Sequence, residues 1–379
     1  MPIHLKHFIS SAFVFLTGTL LLAGCQATTT NSDFVSNADN ASQIAVTEKI
    51  GPENGTKIAL VLPLTGDQSA AAIKIRDGAS KARNLLAKDD ITLDIYDTKG
   101  SEERARTIAA TIAQNRATKV VGLLGDRQIL QSFSSPDAVA LGFATNQSFR
   151  SPNVFPFLPS DVDSLASGID YAHSQKPGPI LLLSERGTSA ARLDALKQAG
   201  QALGNTQIVL YDKDETSGSI ARRAVDSEPE ASVYGFLGND KKLALIAKSL
   251  KSVRRANRNY SIVGNSSWTS QLYSDPALSG AIIAKLDTSL KDQLDIELGD
   301  SSDPVALYGF DLVAVTAGII RIKGSASINR DAFLDPSGFK GVTGTFRFRG
   351  NTNTIERLFA VFKIEDKKMT LISSPSDGF

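Results

Sequence analysis

The sequence predicts an α/β protein built as two similar Rossmann-like lobes, and three observations carry that prediction. Lys57 to Gly66, KIALVLPLTG, is an apolar run without alternation that stops at turn residues, the pattern of a strand buried on both faces of a parallel sheet. Helical and apolar strand patterns alternate after it. Then the series restarts: ILLLSERG (Ile180 to Gly187) matches ALVLPLTG (Ala59 to Gly66), QIVLYD (Gln207 to Asp212) matches TLDIYD (Thr92 to Asp97), and VYGFLG (Val233 to Gly238) matches VVGLLG (Val120 to Gly125). Short aliphatic strands resemble one another easily, but three matches in the same order point to a repeated topology.

Upstream of this domain lie delivery signals. Residues 1–24 hold one charged side chain, Lys6, and an apolar segment from Phe8 to Leu22, too short to span a membrane with ordinary flanks, so they read as a secretory signal. The segment ends Leu22-Ala23-Gly24-Cys25, which resembles the bacterial lipobox and implies that Cys25 bears lipid as the first mature residue. Such a chain is anchored to a membrane and does not cross it. Cys25 is the only cysteine, so no disulfide forms and stability rests on the core. Residues 25–56, rich in Thr, Ser, Asn, Asp and Ala, predict a flexible tether. Its root-mean-square span is on the order of 30 Å. The formal net charge is +1, and removing Lys6 brings it to 0. No global field draws the chain to nucleic acid or anionic lipid.

Within the domain, 57–379, helix is expected over Ala70 to Leu86, Glu102 to Gln114 and Ile129 to Ala140, with strands over Ile91 to Tyr96, Val120 to Leu124 and Gly142 to Thr145. After the restart come strands Ser261 to Gly264 and Gly280 to Lys285, then a helix Pro304 to Lys323 carrying Leu307, Val313, Val315, Ile319 and Ile320. Thr343 to Arg349 alternates (TGTFRFR), and Leu358 to Ile364 and Met369 to Ile372 follow as antiparallel strands closing one lobe.

Enzyme chemistry finds little support. His4 and His7 leave with the signal, and His173 stands near a helix end before Pro177, where a cation favours the dipole. No HExxH, CxxC, GxSxG, Walker or GxGxxG pattern occurs. Asp89-Asp90, Asp161 with Asp163, and Glu365-Asp366 fall at loops or helix starts, where acids are favoured anyway. Catalytic, metal and cofactor residues are therefore expected to be none. Lys251, Arg254, Arg255 and Arg258 form a basic cluster without aromatics, read as a solvated face or a protein-docking patch and not as a nucleic-acid site.

The order of elements resembles the type I periplasmic binding proteins of the leucine/isoleucine/valine-binding branch. Its carriers are KIALVLPLTG, LDIYDTKGSEERARTIAATI, KVVGLLGD, GFATNQS, ALYGFDLVAV and GFKGVTGTFRFRGNTN, in order. The resemblance implies two lobes joined by a three-crossover hinge, with lobe 1 at about 57–150 and 287–330, and lobe 2 at about 151–286 and 331–379. It places the crossings near Phe149 to Phe155, Leu286 to Ser289 and Ile328 to Pro336, and a ligand or partner in the cleft. Cleft candidates are Thr65, Asp126, Arg127, Thr145, Asn146, Glu185, Arg186, Asn239, Trp268 and Tyr308, although Trp268, the sole tryptophan, is expected first to pack over the hinge and only otherwise to line the cleft or a partner surface.

Departures from the family pattern bear on function. Amino-acid binders of this branch carry Ser or Thr after the third strand to take the ligand carboxylate; here the turn is Gly125-Asp126-Arg127-Gln128, with an acid where an anion would sit. Where the family has an aromatic and Gly in the second lobe, this chain has Ser184-Glu185-Arg186-Gly187; only Ala144-Thr145-Asn146 stays close. FPFLPSDVDS and DPSGFKGVTGTFRF are similar to the lipoprotein activators of penicillin-binding proteins. That resemblance implies a non-enzymatic periplasmic regulator whose partner is a peptidoglycan synthase. The alternative is the solute-binding component of an ABC importer, with a permease as partner and a small amino-acid-like ligand. Gln26 after Cys25 lacks the Asp that retains some lipoproteins at the inner membrane, which favours the outer membrane.

Overall fold

The computed structural model describes residues 44–134, 137–254, 259–293, 304–376 and 378–379. Lobe 1 opens with β1 (Glu48–Ile50), β2 (Thr56–Leu62), α1 (Ser69–Leu86), β3 (Ile91–Asp97), α2 (Glu102–Gln114), β4 (Thr118–Leu123), α3 (Arg127–Ser132), β5 (Val139–Gly142) and β6 (Val154–Pro156). Its sheet runs β1-β3-β2-β4-β5-β6, parallel except for β1. The KIALVLPLTG strand is buried on both sides as its composition demands: Ile58, Leu60 and Leu62 face one core, while Ala59 and Val61 face another under α2 and α3.

Lobe 2 follows with α4 (Asp161–Gln175), β7 (Ile180–Glu185), α5 (Ala190–Leu203), β8 (Thr206–Tyr211), α6 (Ser217–Ser227), β9 (Val233–Phe236), α7 (Lys242–Val253), β10 (Ser261–Gly264), α8 (Ser270–Tyr273) and β11 (Ile282–Leu286), and the short α9 (Ser289–Gln293) comes just past the crossing. The chain returns to lobe 1 for α10 (Val305–Lys323), α11 (Arg330–Phe333) and a three-stranded antiparallel sheet of β12 (Phe339–Gly341), β13 (Gly344–Arg349) and β14 (Thr354–Arg357). It then crosses again, and β15 (Phe359–Glu365) and β16 (Lys368–Ser373) complete the second sheet as β16-β15-β11-β10-β9-β7-β8. The repeat seen in the sequence is a repeat in space. Orders β3-β2-β4-β5-β6 and β8-β7-β9-β10-β11 correspond strand for strand.

Helix α10 is long and apolar enough to cross a membrane, yet it is a core helix of lobe 1, with residues from Ala306 to Ile319 buried nearly all round. It lies backbone to backbone on α1. A Cβ on Gly78 would stand 1.8 Å from Ala306 O, and one on Gly309 would stand 2.0 Å from Ile75 O. Only glycine permits that approach.

Several boundaries differ from expectation. The expected tether ends early, because Glu48–Ile50 pairs antiparallel with β3 and Thr47 N donates to Ile95 O at 2.7 Å; Ile44 and Val46 pack on the core. Residues 25–43 of it, Cys25 included, lie with the signal outside the described residues. The helix expected over Ile129 to Ala140 stops at Ser132, and the strand expected at Gly142 to Thr145 begins at Val139. Pro136 accounts for this, since the residue before a proline disfavours helix. The lobe assignment is also corrected. Phe333, Phe346 and Phe348 join Phe155 and Phe157 in the core of lobe 1, so lobe 1 extends through Pro156 and again through Arg357. The first crossing falls at 158–160, not Phe149 to Phe155, and the third at Leu358, not Ile328 to Pro336; the second does follow Leu286.

Candidate functional site

The carboxyl ends of the two sheets meet at the junction of the lobes. Helix α4 runs antiparallel to the strands it covers, and Ser160 caps its start by accepting from Asp163 N at 3.0 Å. Its first turn therefore lies at strand ends: Ser164 Oγ donates to Ala284 O at 2.6 Å and accepts from Ser266 N at 2.8 Å. From lobe 1, the turn after β5 reaches across. Gln147 Nε2 donates to Asp163 Oδ1 at 2.9 Å, and Asn146 Nδ2 stands 3.4 Å from Asp163 Oδ2.

Behind this contact lies a buried charged cluster. Arg357, at the third crossing, donates to Thr343 Oγ1 at 3.0 Å and to Phe157 O at the first crossing, which ties two crossings together. Its guanidinium lies over the rings of Phe346, Phe157 and Tyr308, with centroids at 4.7, 5.5 and 5.7 Å. Asp311 of α10 accepts from Val342 N at 2.7 Å, from Thr343 N at 2.9 Å and from the Thr343 hydroxyl. Burial raises the Asp311 carboxyl above its ordinary range, against the pull of these donors and Arg357. Burial likewise raises Asp163, opposed by Gln147, Ser160, Arg357 and Asn146, and it lowers Arg357. Among the described residues, Arg357 Nε and Gln147 Oε1 meet no hydrogen-bond partner.

The sequence-predicted residues are only partly gathered here. Asn146 belongs to the junction, but as a clamp: its amide donates to Ile355 O at 2.8 Å and accepts from Ile355 N at 3.1 Å, as a neighbouring strand would. Tyr308 is buried beneath Arg357. The rest are dispersed. Thr65 is exposed and donates to Asp97 Oδ2 at 3.2 Å; the same carboxylate accepts from Leu64 N and Lys99 N. Asp126 caps α3 through Ile129 N at 2.9 Å, with Arg127 exposed beside it. Thr145 N donates to Ser148 Oγ at 3.0 Å within its own turn. Arg186 Nε donates to Asp212 Oδ1 at 2.9 Å, Glu185 lies 3.7 Å from Lys213 Nζ, and Asn239 is exposed.

Two readings are corrected outright. Trp268 packs, but in the core of lobe 2 and not over the hinge or along the cleft: it is 2% exposed, its ring fills the space a Cβ on Gly264 would need, and Nε1 donates to Gly238 O at 3.0 Å. Arg254 is neither a solvated face nor a docking patch. It is buried between the rings of Tyr234 and Tyr260 and donates to Ala231 O and Tyr234 Oη, both at 3.0 Å. Arg255 and Arg258 lie outside the described residues.

The residues missed were Arg357, Asp311, Thr343, Asp163 and Gln147. One signal was available: in GFDLVAV a lone carboxylate sits in an otherwise apolar helix, which demands a buried partner. Asp161 and Asp163, read as a helix-start pair, separate in role, since Asp161 pairs with Arg192 inside lobe 2. Among the described residues no cluster of three or more His, Cys, Asp or Glu could hold a metal ion.

No family model matches the chain, and no curated protein does. Solved structures do. A protein assigned to a branched-chain amino acid ABC transporter, from Rhodospirillum rubrum, superposes with a TM-score of 0.62 at 16% identity, covering 84% of this chain and 100% of that one. The C-domain of LpoA from Haemophilus influenzae, a regulator of PBP1A, gives 0.62 at 14% identity over 83% of this chain and 99% of its own. An ABC transporter substrate-binding protein from Sphaerobacter thermophilus gives 0.56 at 16% identity over 86% and 98%. At these identities the likeness speaks for architecture alone: the chain has the two-lobed type I periplasmic binding protein fold.

Proposed function

We propose that this chain is a non-catalytic lipoprotein of the bacterial cell envelope whose two-lobed domain regulates a penicillin-binding protein in peptidoglycan synthesis. The observation that carries the reading is the state of the positions where amino-acid binders of this fold hold their solute. Asp126 places the chain's own carboxylate on the amide at the start of α3, Arg186 is paired with Asp212, the Asn146 amide is spent on Ile355, and Trp268 is interior. A solute carboxylate entering there displaces an internal one or meets its repulsion. The likeness to the LpoA C-domain, a regulator of PBP1A, supports the same reading. Lipid attachment at Cys25 and a place in the periplasm, on the outer membrane, rest on the sequence of the first 26 residues.

Two measurements test it. Purified full-length chain, added to a bifunctional penicillin-binding protein of the same bacterium, is expected to change its glycan polymerisation or crosslinking rate. A panel of amino acids is expected to leave the melting temperature unchanged. A solute at a hundred times its Kd would add about 2.7 kcal/mol, so stabilisation of that size overturns the reading in favour of an importer subunit. Cys25→Ser is expected to release the chain from the membrane fraction.

A further inference from the structure

The four edges of the two large sheets are treated unequally. β1 is only three residues long. The edge at β6 is covered by the small sheet, with Asn353 Nδ2 donating to Val154 O at 2.8 Å and also to Ser151 O. At β8, Arg223 Nη2 donates to Leu210 O at 2.9 Å. Short edges, edge lysines, bulges and covering groups are how proteins prevent strand addition. β16 carries two such devices, Lys368 and the irregularity opposite Val361 and Phe362, but they stand at its two ends and leave Met369 to Leu371 open between them. It is six residues long, pairs among the described residues only with β15, and apart from Met369 and Ser373 its residues are exposed, Leu371 and Ile372 being 52% and 37% accessible.

The hairpin fixes which backbone groups β16 offers. Glu365 pairs with Lys368 across a two-residue turn, and Asp366 and Lys367 have φ of 48° and 63°, the two positive values of a type I′ turn. The residues flanking such a turn form a hydrogen-bonded pair, and pairs then alternate. Lys368 and Thr370 therefore turn their N–H and C=O toward β15, while Met369 and Leu371 turn theirs outward, where no described residue meets them.

We infer that β16 is a self-association edge, at which a second copy of this chain adds antiparallel about a two-fold axis through Thr370. An isologous contact must set residue i against j and j against i. With the axis at Thr370, Met369 faces Leu371 of the second copy, and the reverse, so outward groups meet outward groups and form four hydrogen bonds. These side chains share one face: Met369 packs on the core of lobe 2, and Leu371 lies two residues on. On the other face Lys368 would stand opposite Ile372 of the second copy. Charge selects this arrangement, because the two Lys368 side chains stand four residues apart along the strands, about 13 Å, beyond the Debye length at physiological salt. An axis one residue further on would set Met369 against Ser373, past the irregularity between Val361 and Phe362, and lose both apolar pairs.

In this register the two Thr370 residues form a non-hydrogen-bonded pair with Cα atoms about 4.5 Å apart, within disulfide range, whereas the Lys368 pair is not. Full-length Cys25→Ser chains carrying Thr370→Cys or Lys368→Cys, oxidised in solution, are expected to give a disulfide dimer from the first and not from the second. In sedimentation equilibrium the unsubstituted chain is expected to move toward twice the monomer mass as concentration rises. Leu371→Lys should abolish that shift without changing the melting temperature. A monomer at every concentration, equal crosslinking from both thiols, or crosslinking of the Thr370→Cys chain to a different protein each overturns the inference.

Discussion

Gly309→Ala tests the packing on which lobe 1 depends. The new methyl group would stand 2.0 Å from Ile75 O, whereas an ordinary carbon–oxygen contact needs about 3.3 Å, so α1 and α10 must separate by roughly 1.3 Å. The obstacle is a backbone carbonyl held in a helix, which cannot rotate aside as a side chain can. Overpacking costs about 1–3 kcal/mol where neighbours yield, and the upper end or more applies here. Alanine returns up to about 1 kcal/mol of helix propensity, leaving a net loss of about 2 kcal/mol. Gly318 in the same helix supplies the control: a Cβ there meets nothing within 4 Å, so Gly318→Ala should gain about 0.5–1 kcal/mol. Urea unfolding followed by far-ultraviolet circular dichroism should move the two midpoints in opposite directions at equal m. If Gly309→Ala is as stable as the parent, the close approach of the helices is wrong.

Three further outcomes follow from the junction and the core. Arg357→Met keeps apolar bulk but leaves Asp311 buried without its cation and strips donors from Phe157 O and Thr343 Oγ1; a loss of about 3–5 kcal/mol is expected in chemical unfolding, and a loss below about 1 kcal/mol would contradict it. Burial raises the folded-state Asp163 carboxyl above its ordinary 3.8, so between that value and the raised one the folded chain holds more protons than the unfolded, and stability falls as pH rises. The advantage of the parent over Asp163→Asn should therefore shrink from about pH 4 upward; a growing advantage would reverse the sign. Arg254→Ala should cost more than about 2 kcal/mol by thermal unfolding, whereas a solvated arginine would cost within about 0.5 kcal/mol.

The architecture was legible where composition and geometry coincide. KIALVLPLTG could be nothing but a two-sided strand, and its echo at Ile180 marks the start of the second lobe's sheet. Lobe membership after Ser289 was not legible, because the phenylalanines of β13 suit any apolar surface and only packing shows that Phe346 and Phe348 meet Phe155 and Phe157. Candidate site residues suffered from a related ambiguity. A polar residue at a strand end can face a ligand, cap a helix or bind a neighbouring turn, and Asp126, Thr65 and Arg186 all do the second or third. Arg254 shows the opposite error: a cation in a basic run looked solvated, while Tyr234 of β9 and Tyr260, just before β10, enclose it.

The route of the chain constrains how the molecule can be made. The first lobe lacks α10 and the aromatic sheet until translation has passed Arg357, and the second lacks its last two strands until later still. About 150 residues separate Phe157 from Val305, which at about 5–20 residues per second is a wait on the order of ten seconds with Leu60 and Ile75 uncovered. Neither half can be excised as a continuous fragment, and both must ripen together, so a holding chaperone has most to do before the final fifty residues emerge.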